Sequence, residues 1–248
     1  MGTPSNTDLS VIVPAYNEAE RLPATLRRLQ EYLDPMSLSY EIIVVLDGPT
    51  DATKMVLKNL TSEIKHLRVL DRKVHRGKGY TVREGMLSAS GRVRLFTDAD
   101  NSTDIAHFEK MQPFLAGGYD VVICSREPRD ARGAVQAVPQ IWPKRLLGKF
   151  GNLLIRIVAV RGIRDTQCGF KAFQNHAAEK IFSRSVVDGW GFDVEALALA
   201  RALKYKIGII PAHWINDPRS HVRLSTYPQV LWETLMVGYR LLRTKYRL

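Results

Sequence analysis

The stretch RLFTDADNST, residues 94–103, joins a short apolar segment to two acids that one small residue separates. The apolar side chains over 92–97 predict a strand, and Asp98 and Asp100 follow it directly. Two carboxylates this close repel each other. By themselves they are compatible with a solvated turn or with a site for a hard divalent cation, because Mg²⁺ and Mn²⁺ prefer oxygen ligands. The rest of the chain favours one of the two.

Apolar strands alternate with amphipathic helices through the first half of the chain, which is typical of a mostly parallel sheet covered by helices. The predicted strands are 9–14, 41–46, 67–71, 92–97, 119–124 and, near the end, 207–211. The predicted helices are 18–33, 52–62, 78–89, 105–115, 192–203 and 228–243, with Asp51 and Asp104 as N-caps of the second and fourth. The predicted fold class is therefore α/β, with a doubly wound, mostly parallel sheet, covering helices and a C-terminal amphipathic helix.

Acids recur where the predicted strands end. Asp47 follows the apolar run IIVVL, as Asp98 and Asp100 follow RLFT. In doubly wound sheets the ligand crevice lies at the carboxyl ends of the strands. This recurrence favours a binding site over a solvated turn.

The positive charge of the chain is concentrated in two segments. The 248 residues carry a formal net charge of +11, with an ordinary hydrophobic content of 45%. Residues 126–164 hold nine Lys or Arg against two acids, and residues 219–248 hold six against one. Such segments predict an anionic partner, which the charge alone leaves open among a phosphorylated substrate, an acidic membrane surface and nucleic acid.

A polar, basic loop begins at Arg126 and precedes an amphipathic stretch over 144–162. Its apolar face is compatible with a membrane surface or with packing on the sheet. The N-terminus lacks the pattern of a signal peptide, and no uncharged apolar run is long enough to cross a bilayer. The two cysteines, Cys124 and Cys168, have no metal-like spacing, so we expect a reducing compartment such as the cytosol.

Six motifs occur in the order found in inverting glycosyltransferases of the large GT-A family 2, and together they span residues 9–225. They are VIVPAYNEAERLPATL, VVLDGPTDAT, HRGKGYTVREGML, FTDADNST, GIRDTQCGFKAF and GWGFDVEAL. The chain resembles most the dolichyl-phosphate β-glucosyltransferase branch, with the dolichyl-phosphate mannose synthases as near relatives. The resemblance implies a GT-A domain over 1–218, with an acceptor-side basic loop and helix at 126–163. A basic loop and amphipathic helix follow over 219–248.

The resemblance also implies a nucleotide-sugar donor, and it implies that most of the matching residues bind this donor. Asp98 is implied as a ribose or metal contact, Asp100 as the direct ligand of Mg²⁺ or Mn²⁺, and Asp47 as the acid that reads the base. Arg126, Arg219 and Arg223 are implied near the diphosphate. The remaining donor-side residues are Pro14, Ala15, Tyr16, Glu18, Arg76, Lys78 and Ala99.

On the acceptor side the resemblance implies a polyprenyl or dolichyl phosphate. Arg132 and Arg145 are candidates for binding its phosphate, and Asp165 and Asp193 match acids that line this side, either of which is a candidate base. A phosphate monoester is already largely ionised near pH 7, since its second pKa is about 6, so strong base catalysis is not required.

These observations predict a metal-dependent enzyme that moves glucose from UDP-glucose to a polyprenyl or dolichyl phosphate with inversion. We expect it to bind peripherally to the cytoplasmic face of a membrane, without nucleic acid. Three alternatives stay open: transfer of another hexose, for example from GDP-mannose; a GT-A enzyme with a soluble acceptor; and a basic nucleic-acid-binding protein.

Overall fold

The computed structural model describes residues 7–136, 160, 162–215 and 226–246. Seven of the strands in this part of the chain form one sheet, in the order β3-β2-β1-β4-β7-β5-β8, and the short β6 and β9 pair separately. β7 runs antiparallel to both β4 and β5, and the other pairs of the large sheet are parallel. The strands are β1 Leu9–Ala15, β2 Tyr40–Asp47, β3 Leu67–Arg72, β4 Val93–Thr97, β5 Val121–Ser125, β6 Val135–Gln136, β7 Phe170–Gln174, β8 Ile207–Pro211 and β9 His213–Trp214.

Helices cover both faces of the large sheet. The helices are α1 Leu22–Leu33, α2 Thr53–Leu60, α3 Lys78–Ser88, α4 His107–Ala116, α5 Asn175–Phe182, α6 Phe192–Ala202 and α7 Thr226–Leu242. One apolar core packs α1, α2 and α4 on one face of the sheet. A second core packs α3, α5, α6 and α7 on the other face. The prediction of a doubly wound, mostly parallel sheet with covering helices is confirmed.

Most predicted bounds lie within two residues of the observed ones, and two differences have a physical reason. α1 begins at Leu22 rather than at residue 18, because Pro23 favours the first helical turn and residues 18–21 form a separate turn. The predicted N-caps are displaced, since the N-cap positions of α2 and α4 are Ala52 and Ala106. Asp51 still accepts from the amide of Thr53 at 2.9 Å, and Asp104 from that of Ala106 at 2.8 Å, each two residues further along the chain.

β7 is the other difference, since the sequence does not predict it as a strand. It places the charged Lys171 in the middle of the sheet, where the side chain has no exposed surface. A buried lysine interrupts the apolar pattern by which a central strand is recognised, and its partner lies far along the chain.

The topology brings the ends of β1, β2 and β4 together, because these parallel strands are neighbours. The segments after Ala15, Asp47 and Thr97 therefore lie along one edge, which we call the carboxyl edge. No helix of the described residues has the length and apolarity that crossing a bilayer requires. The predicted amphipathic stretch at 144–162, except for residues 160 and 162, and the predicted domain boundary at residue 218 lie outside the described residues.

Candidate active site at the carboxyl edge of the sheet

Asp98 and Asp100 lie in the turn that follows β4. The turn includes Asn101 in the left-handed region, at a φ of 53°, and the amide of Ser102 donates to Asp100 Oδ1 at 2.9 Å. Burial raises the pKa of Asp100, and the neighbouring charge of Asp98 raises it further. The turn therefore holds the two carboxylates close enough for the charge of Asp98 to disfavour ionisation of Asp100.

Lys78 provides the positive charge closest to this pair. It is the first residue of α3, and its Nζ lies 2.6 Å from Asp98 Oδ1 in a contact that lacks regular hydrogen-bond geometry. Burial works against the charged form, but Asp98 and the more distant Asp193 outweigh it, so the pKa of Lys78 is raised. Gly77 allows α3 to begin here, because its φ is 117° and a Cβ would lie 2.5 Å from the carbonyl oxygen of Asp188.

The Asp98 carboxylate packs against the backbone of Gly169, where a side chain would not fit. Gly169 directly precedes β7, and a Cβ at this position would lie 2.0 Å from Asp98 Oδ2. Residues 97 and 170 are paired across the β4–β7 ladder, which sets the backbone of Gly169 against the carboxylate. This residue was not predicted from the sequence, because the contact depends on a strand pairing between distant segments.

The carboxylate pair fits a hard divalent cation. Asp98 Oδ1 is buried without a regular hydrogen bond, and the pKa of Asp100 is raised, so a cation would relieve both carboxylates. The described residues contain no group of three or more His, Cys, Asp or Glu that could hold a metal. Asp98 and Asp100 would thus be its protein ligands in this part of the chain, with water and substrate oxygens completing the shell, as is common for Mg²⁺.

The predicted donor-side residues at 14–18 lie at the end of β1, beside the carboxylate pair. Pro14 and Ala15 are its last two strand residues, and the ring of Tyr16 stacks on that of His75 with centroids 4.0 Å apart. Glu18 is buried in a bidentate pair with Arg21, with both bonds at 2.6 Å. Arg21 Nη1 lies 4.0 Å from Asp100, which connects this segment to the carboxylates.

Asp47 is positioned differently from a freely accessible base reader. Its carboxylate is 2% exposed and accepts from the amides of Arg76 and Gly77, each at 2.9 Å. His75 Nδ1 lies 2.9 Å from the same carboxylate. The structure thus shows Asp47 holding the loop that leads into α3, and its contact with a base stays a prediction.

Arg76 directs its side chain away from the carboxylate pair. Its guanidinium pairs with Asp188 at 2.8 Å and lies 3.9 Å from the centroid of the Tyr80 ring. Its contact with the nucleotide stays a prediction.

Arg126 and Asp165 form a second pair directly after the end of β5. The guanidinium donates two bonds to the carboxylate, each at 2.8 Å, and the Arg126 amide donates a third at the same distance. Burial would raise the pKa of Asp165, but the charge and hydrogen bonds of Arg126 outweigh it, so this pKa is lowered. Asp165 is therefore a weak base and an orienting group for Arg126.

Asp130 fixes that pair in place, and it was not predicted from the sequence. Its carboxylate accepts from the Ser125 hydroxyl at 3.0 Å and from the Asp165 amide at 2.8 Å. It also accepts from the amide of Arg164 at 2.9 Å. A single side chain thereby joins the loop after β5 to the segment that carries Asp165.

Asp193 forms a buried ion pair with Lys171. Lys171 Nζ lies 2.5 Å from Asp193 Oδ1 and also donates to the carbonyl oxygen of Cys168 at 2.6 Å. The two side chains are 0% and 5% exposed. Burial raises the pKa of Asp193, although Lys171 and Lys78 act in the opposite direction. The pair explains the charged residue in β7 and leaves Asp193 poorly placed to exchange protons with solvent.

The remaining predicted site residues are not all in the crevice. Ala99 is buried between the two acids, and its carbonyl accepts from Thr25 Oγ1 at 2.7 Å. Arg132 is exposed in the turn before β6. Arg145, Arg219 and Arg223 lie outside the described residues.

The fold is that of a glycosyltransferase of the GT-A type. Residues 10–182 match the family model of glycosyl transferase family 2. The chain belongs to this family, and the predicted resemblance is confirmed.

Three relatives carry the same name, dolichyl-phosphate β-glucosyltransferase. That of Drosophila melanogaster is 39% identical over 242 residues, which cover 93% of this chain and 72% of the relative. The human protein is 34% identical over 253 residues, which cover 96% of this chain and 75% of the human protein. That of Saccharomyces cerevisiae is 33% identical over 235 residues, covering 88% and 70%. The family match and the names of these relatives both show that the chain is a glycosyltransferase.

Solved structures support the fold. Glucosyl-3-phosphoglycerate synthase from Mycobacterium tuberculosis, in complex with Mn²⁺, UDP and phosphoglyceric acid, is similar with a TM-score of 0.68 at 20% identity. The similarity covers 94% of this chain and 78% of that one. TarS from S. aureus, in complex with UDP-GlcNAc, is similar with a TM-score of 0.60 at 17% identity, covering 94% and 66%.

Proposed function

We propose that this enzyme transfers glucose from UDP-glucose to dolichyl phosphate or another polyprenyl phosphate, with inversion at the anomeric carbon. The names of its relatives support the sugar and the acceptor. The observation that carries the proposal is the Asp98–Asp100 pair at the carboxyl edge, which Lys78 contacts from α3. Mg²⁺ or Mn²⁺ fits this pair, and the metal-bound structural neighbours are consistent with that.

The residues of the crevice act mainly by stabilising the leaving diphosphate. The bond between C1 of glucose and the diphosphate oxygen breaks, so negative charge develops on that oxygen. A bound divalent cation supplies neutralising charge there. Lys78 lies beside the metal carboxylates, and Arg126 is held rigid by Asp165, so both cations are positioned before the reaction starts. Preorganised charge of this kind stabilises a transition state without reorganisation.

The acceptor phosphate is the nucleophile and needs no strong base. Its oxygen attacks C1 from the face opposite the departing diphosphate, which inverts the configuration. Asp165 is bound to Arg126 and Asp193 to Lys171, so neither carboxylate is available as a proton acceptor in this state. An already ionised phosphate oxygen makes such an acceptor unnecessary.

The donor and acceptor are tested by incubating the enzyme with UDP-glucose, GDP-mannose, UDP-N-acetylglucosamine or UDP-galactose. A short polyprenyl phosphate and 3-phosphoglycerate serve as alternative acceptors, with Mg²⁺, Mn²⁺ or a chelator. We expect metal-dependent glucosyl transfer from UDP-glucose to the polyprenyl phosphate. Preference for another donor would overturn the sugar assignment, and transfer to 3-phosphoglycerate alone would support a soluble acceptor.

We also propose that the enzyme binds peripherally to the cytoplasmic face of a membrane, where a polyprenyl phosphate presents its headgroup. α7 supports this with a line of exposed apolar side chains, which we call the α7 stripe: Trp232, Leu235, Tyr239 and Leu242. Their spacing of three, four and three residues places them on one helical face. Leu231 of the same helix is half-buried. The exposed Arg243 and Lys245 follow the stripe and suit an anionic surface.

The α7 stripe is tested by sedimentation with vesicles that contain anionic lipid, at low and high salt. We expect the intact chain to bind at low salt and Trp232→Ser/Leu242→Ser to bind more weakly. Met55→Ser/Val74→Ser is the matched control, since Met55 and Val74 are also exposed apolar residues, 65% and 69% accessible, away from α7. An intact chain that stays in the supernatant, or equal losses in both variants, would contradict the proposed surface.

A further inference from the structure

A basic cavity lies where α5 and α7 end, separate from the carboxylate pair. Its volume is about 420 Å³. We call it the C-terminal basic pocket, and its lining is Ser183, Arg184, Val186, Arg240, Lys245 and Tyr246. Three of these six residues are cationic and none is acidic. The mechanism proposed above uses none of them.

We infer that the C-terminal basic pocket binds a phosphate monoester group. Three cations that line one concave site focus positive potential into it. A phosphate monoester carries about −1.5 to −2 charges near pH 7 and has three strong acceptor oxygens, whereas a diester carries only about one charge. Ser183 also lines the pocket, and its hydroxyl donates to the carbonyl oxygen of Lys180 at 3.4 Å.

Helix capping explains part of this arrangement but not the whole of it. Arg184 donates to the carbonyl oxygen of Lys180 at 3.0 Å, as a cation near a helix C-terminus commonly does. Lys245 forms no ion pair with any described residue, and Arg240 interacts with the Tyr246 hydroxyl and, through its charge, with the buried Glu195. Capping α5 therefore leaves two further cations that line the same cavity.

Two carboxylates lie close to the pocket, and each already has a partner. Glu195 is fully buried and accepts from the Tyr246 hydroxyl at 2.7 Å, so it lies behind Tyr246 rather than in the cavity lining. Glu179 lines an adjoining cavity that shares Ser183 and Arg184 with the pocket, and it pairs with Arg94 at 2.9 Å. The positive charge of the pocket is thus not cancelled by an acid in its lining.

Lys245 connects the pocket to the α7 stripe, because its Nζ lies 5.2 Å from the centroid of the exposed Tyr239 ring. A phosphate in the pocket can therefore come from a lipid headgroup at a membrane or from a soluble compound. The shared chemistry is the dianionic phosphate, and the experiment separates the two sources.

The experiment uses vesicles of phosphatidylcholine with either phosphatidic acid, a monoester, or phosphatidylglycerol, a diester, adjusted to the same zeta potential. Inorganic phosphate is titrated separately by calorimetry. The variants are Lys245→Gln and Arg184→Gln/Lys245→Gln. Arg243→Gln is the matched control, since it removes an exposed cation two residues away that does not line the pocket. Lys245 makes no hydrogen bond through its side chain to a described residue, so the single variant should keep its thermal stability.

We expect the intact chain to prefer phosphatidic acid, and each pocket cation removed to reduce that preference about fivefold, the equivalent of about 1 kcal/mol. Arg243→Gln should weaken binding to both kinds of vesicle equally. Binding of inorganic phosphate that only the pocket variants lose, without a vesicle preference, would support a soluble source. The proposed pocket would be overturned if neither effect were seen, or if the pocket variants behaved like Arg243→Gln. Donor and acceptor are left out of this experiment, so failure here is independent of the proposed glucosyl transfer.

Discussion

Lys78 contacts Asp98, one of the two carboxylates that would hold a divalent cation. The 2.6 Å contact neutralises a carboxylate that otherwise faces Asp100, so the lysine serves as the counterion of Asp98 in this structure. Its presence makes metal binding a competition between two cations. Lys78 therefore has two expected effects: it competes with the metal for Asp98, and it places a positive charge beside the diphosphate.

We expect Lys78→Met to bind Mn²⁺ more tightly than the intact enzyme in the absence of donor, by about tenfold, because a competing charge is removed. The same variant should lose glucosyl transfer, since a cation beside the diphosphate is missing. Calorimetric titration with Mn²⁺ measures the first effect. Lys54→Met is the control, because Lys54 pairs at the surface with Asp71, away from the site. Weaker Mn²⁺ binding by Lys78→Met would contradict the competition.

We expect Gly169 to be as important for metal binding as a metal ligand, because its lack of a side chain leaves room for the Asp98 carboxylate. A Cβ in Gly169→Ala would require Asp98 to move, since it would lie 2.0 Å from Oδ2. A displacement of about 1 Å can cost about 10²-fold in rate, and we expect a loss of that order in kcat/KM together with weaker Mn²⁺ binding.

Gly118→Ala is the control for Gly169→Ala. Gly118 has a φ of 80°, but no atom lies within 4 Å of the position that a Cβ would take, so the change strains the backbone without touching the site. We expect a modest loss of stability in the control and unchanged Mn²⁺ affinity. Equal Mn²⁺ affinities for Gly169→Ala and the intact enzyme would refute the positioning role.

At the scale of elements, His107 joins the start of α4 to β9. Its Nδ1–H donates to the carbonyl oxygen of Asp104 at 2.8 Å, and its Nε2 accepts from the amide of His213 at 2.9 Å. This pattern requires a neutral ring, because Nε2 cannot accept once it is protonated. Burial lowers the pKa of His107 below its ordinary value of 6.5.

The sign of the resulting pH dependence follows from linkage. Below pH 6.5 the unfolded chain takes up a proton at this histidine before the folded chain does, so the free energy of unfolding falls as the pH falls. The slope from one such group is at most about 1.4 kcal/mol per pH unit. We expect His107→Gln to be less stable at pH 8 and to lose this part of the slope between pH 7 and 5.

Urea unfolding of both proteins across that range gives the slope. His176→Gln is the control, since His176 is about half exposed and pairs with Asp120 at the surface. A slope in His107→Gln that matches that of the intact protein would contradict the assignment of a neutral, buried ring.

How far elements can be predicted from sequence depends on the range of their contacts. β1, β2, β4 and α6 follow from local apolar patterns, and so their predicted bounds are close to those observed. β7 does not, because Lys171 is stabilised there by Asp193, 22 residues later. Asp130 and Gly169 were missed for the same reason, since each acts through partners that only the folded sheet brings near.

At the scale of the whole molecule, the doubly wound sheet places the end of β4 between the loop after β1 and the segment before β7. The acids of the carboxyl edge were predictable, since strand ends collect ligands in this architecture. Their pairing was not, since Arg126 with Asp165 and Lys78 with Asp98 are contacts between distant segments. The sequence thus identified the carboxylates, and the structure identifies the cations that control them.

The central claim is that the Asp98–Asp100 pair holds the divalent cation on which glucosyl transfer depends. It is tested most directly by measuring transfer from UDP-glucose to a polyprenyl phosphate by Asp100→Asn, with saturating Mg²⁺ or Mn²⁺. We expect the rate to fall by about 10²- to 10³-fold, the usual cost of losing charge stabilisation at a leaving group. The thermal unfolding temperature of the variant should not be lowered, because the substitution removes a carboxylate whose pKa is already raised. Unchanged turnover in a folded Asp100→Asn enzyme would contradict the account.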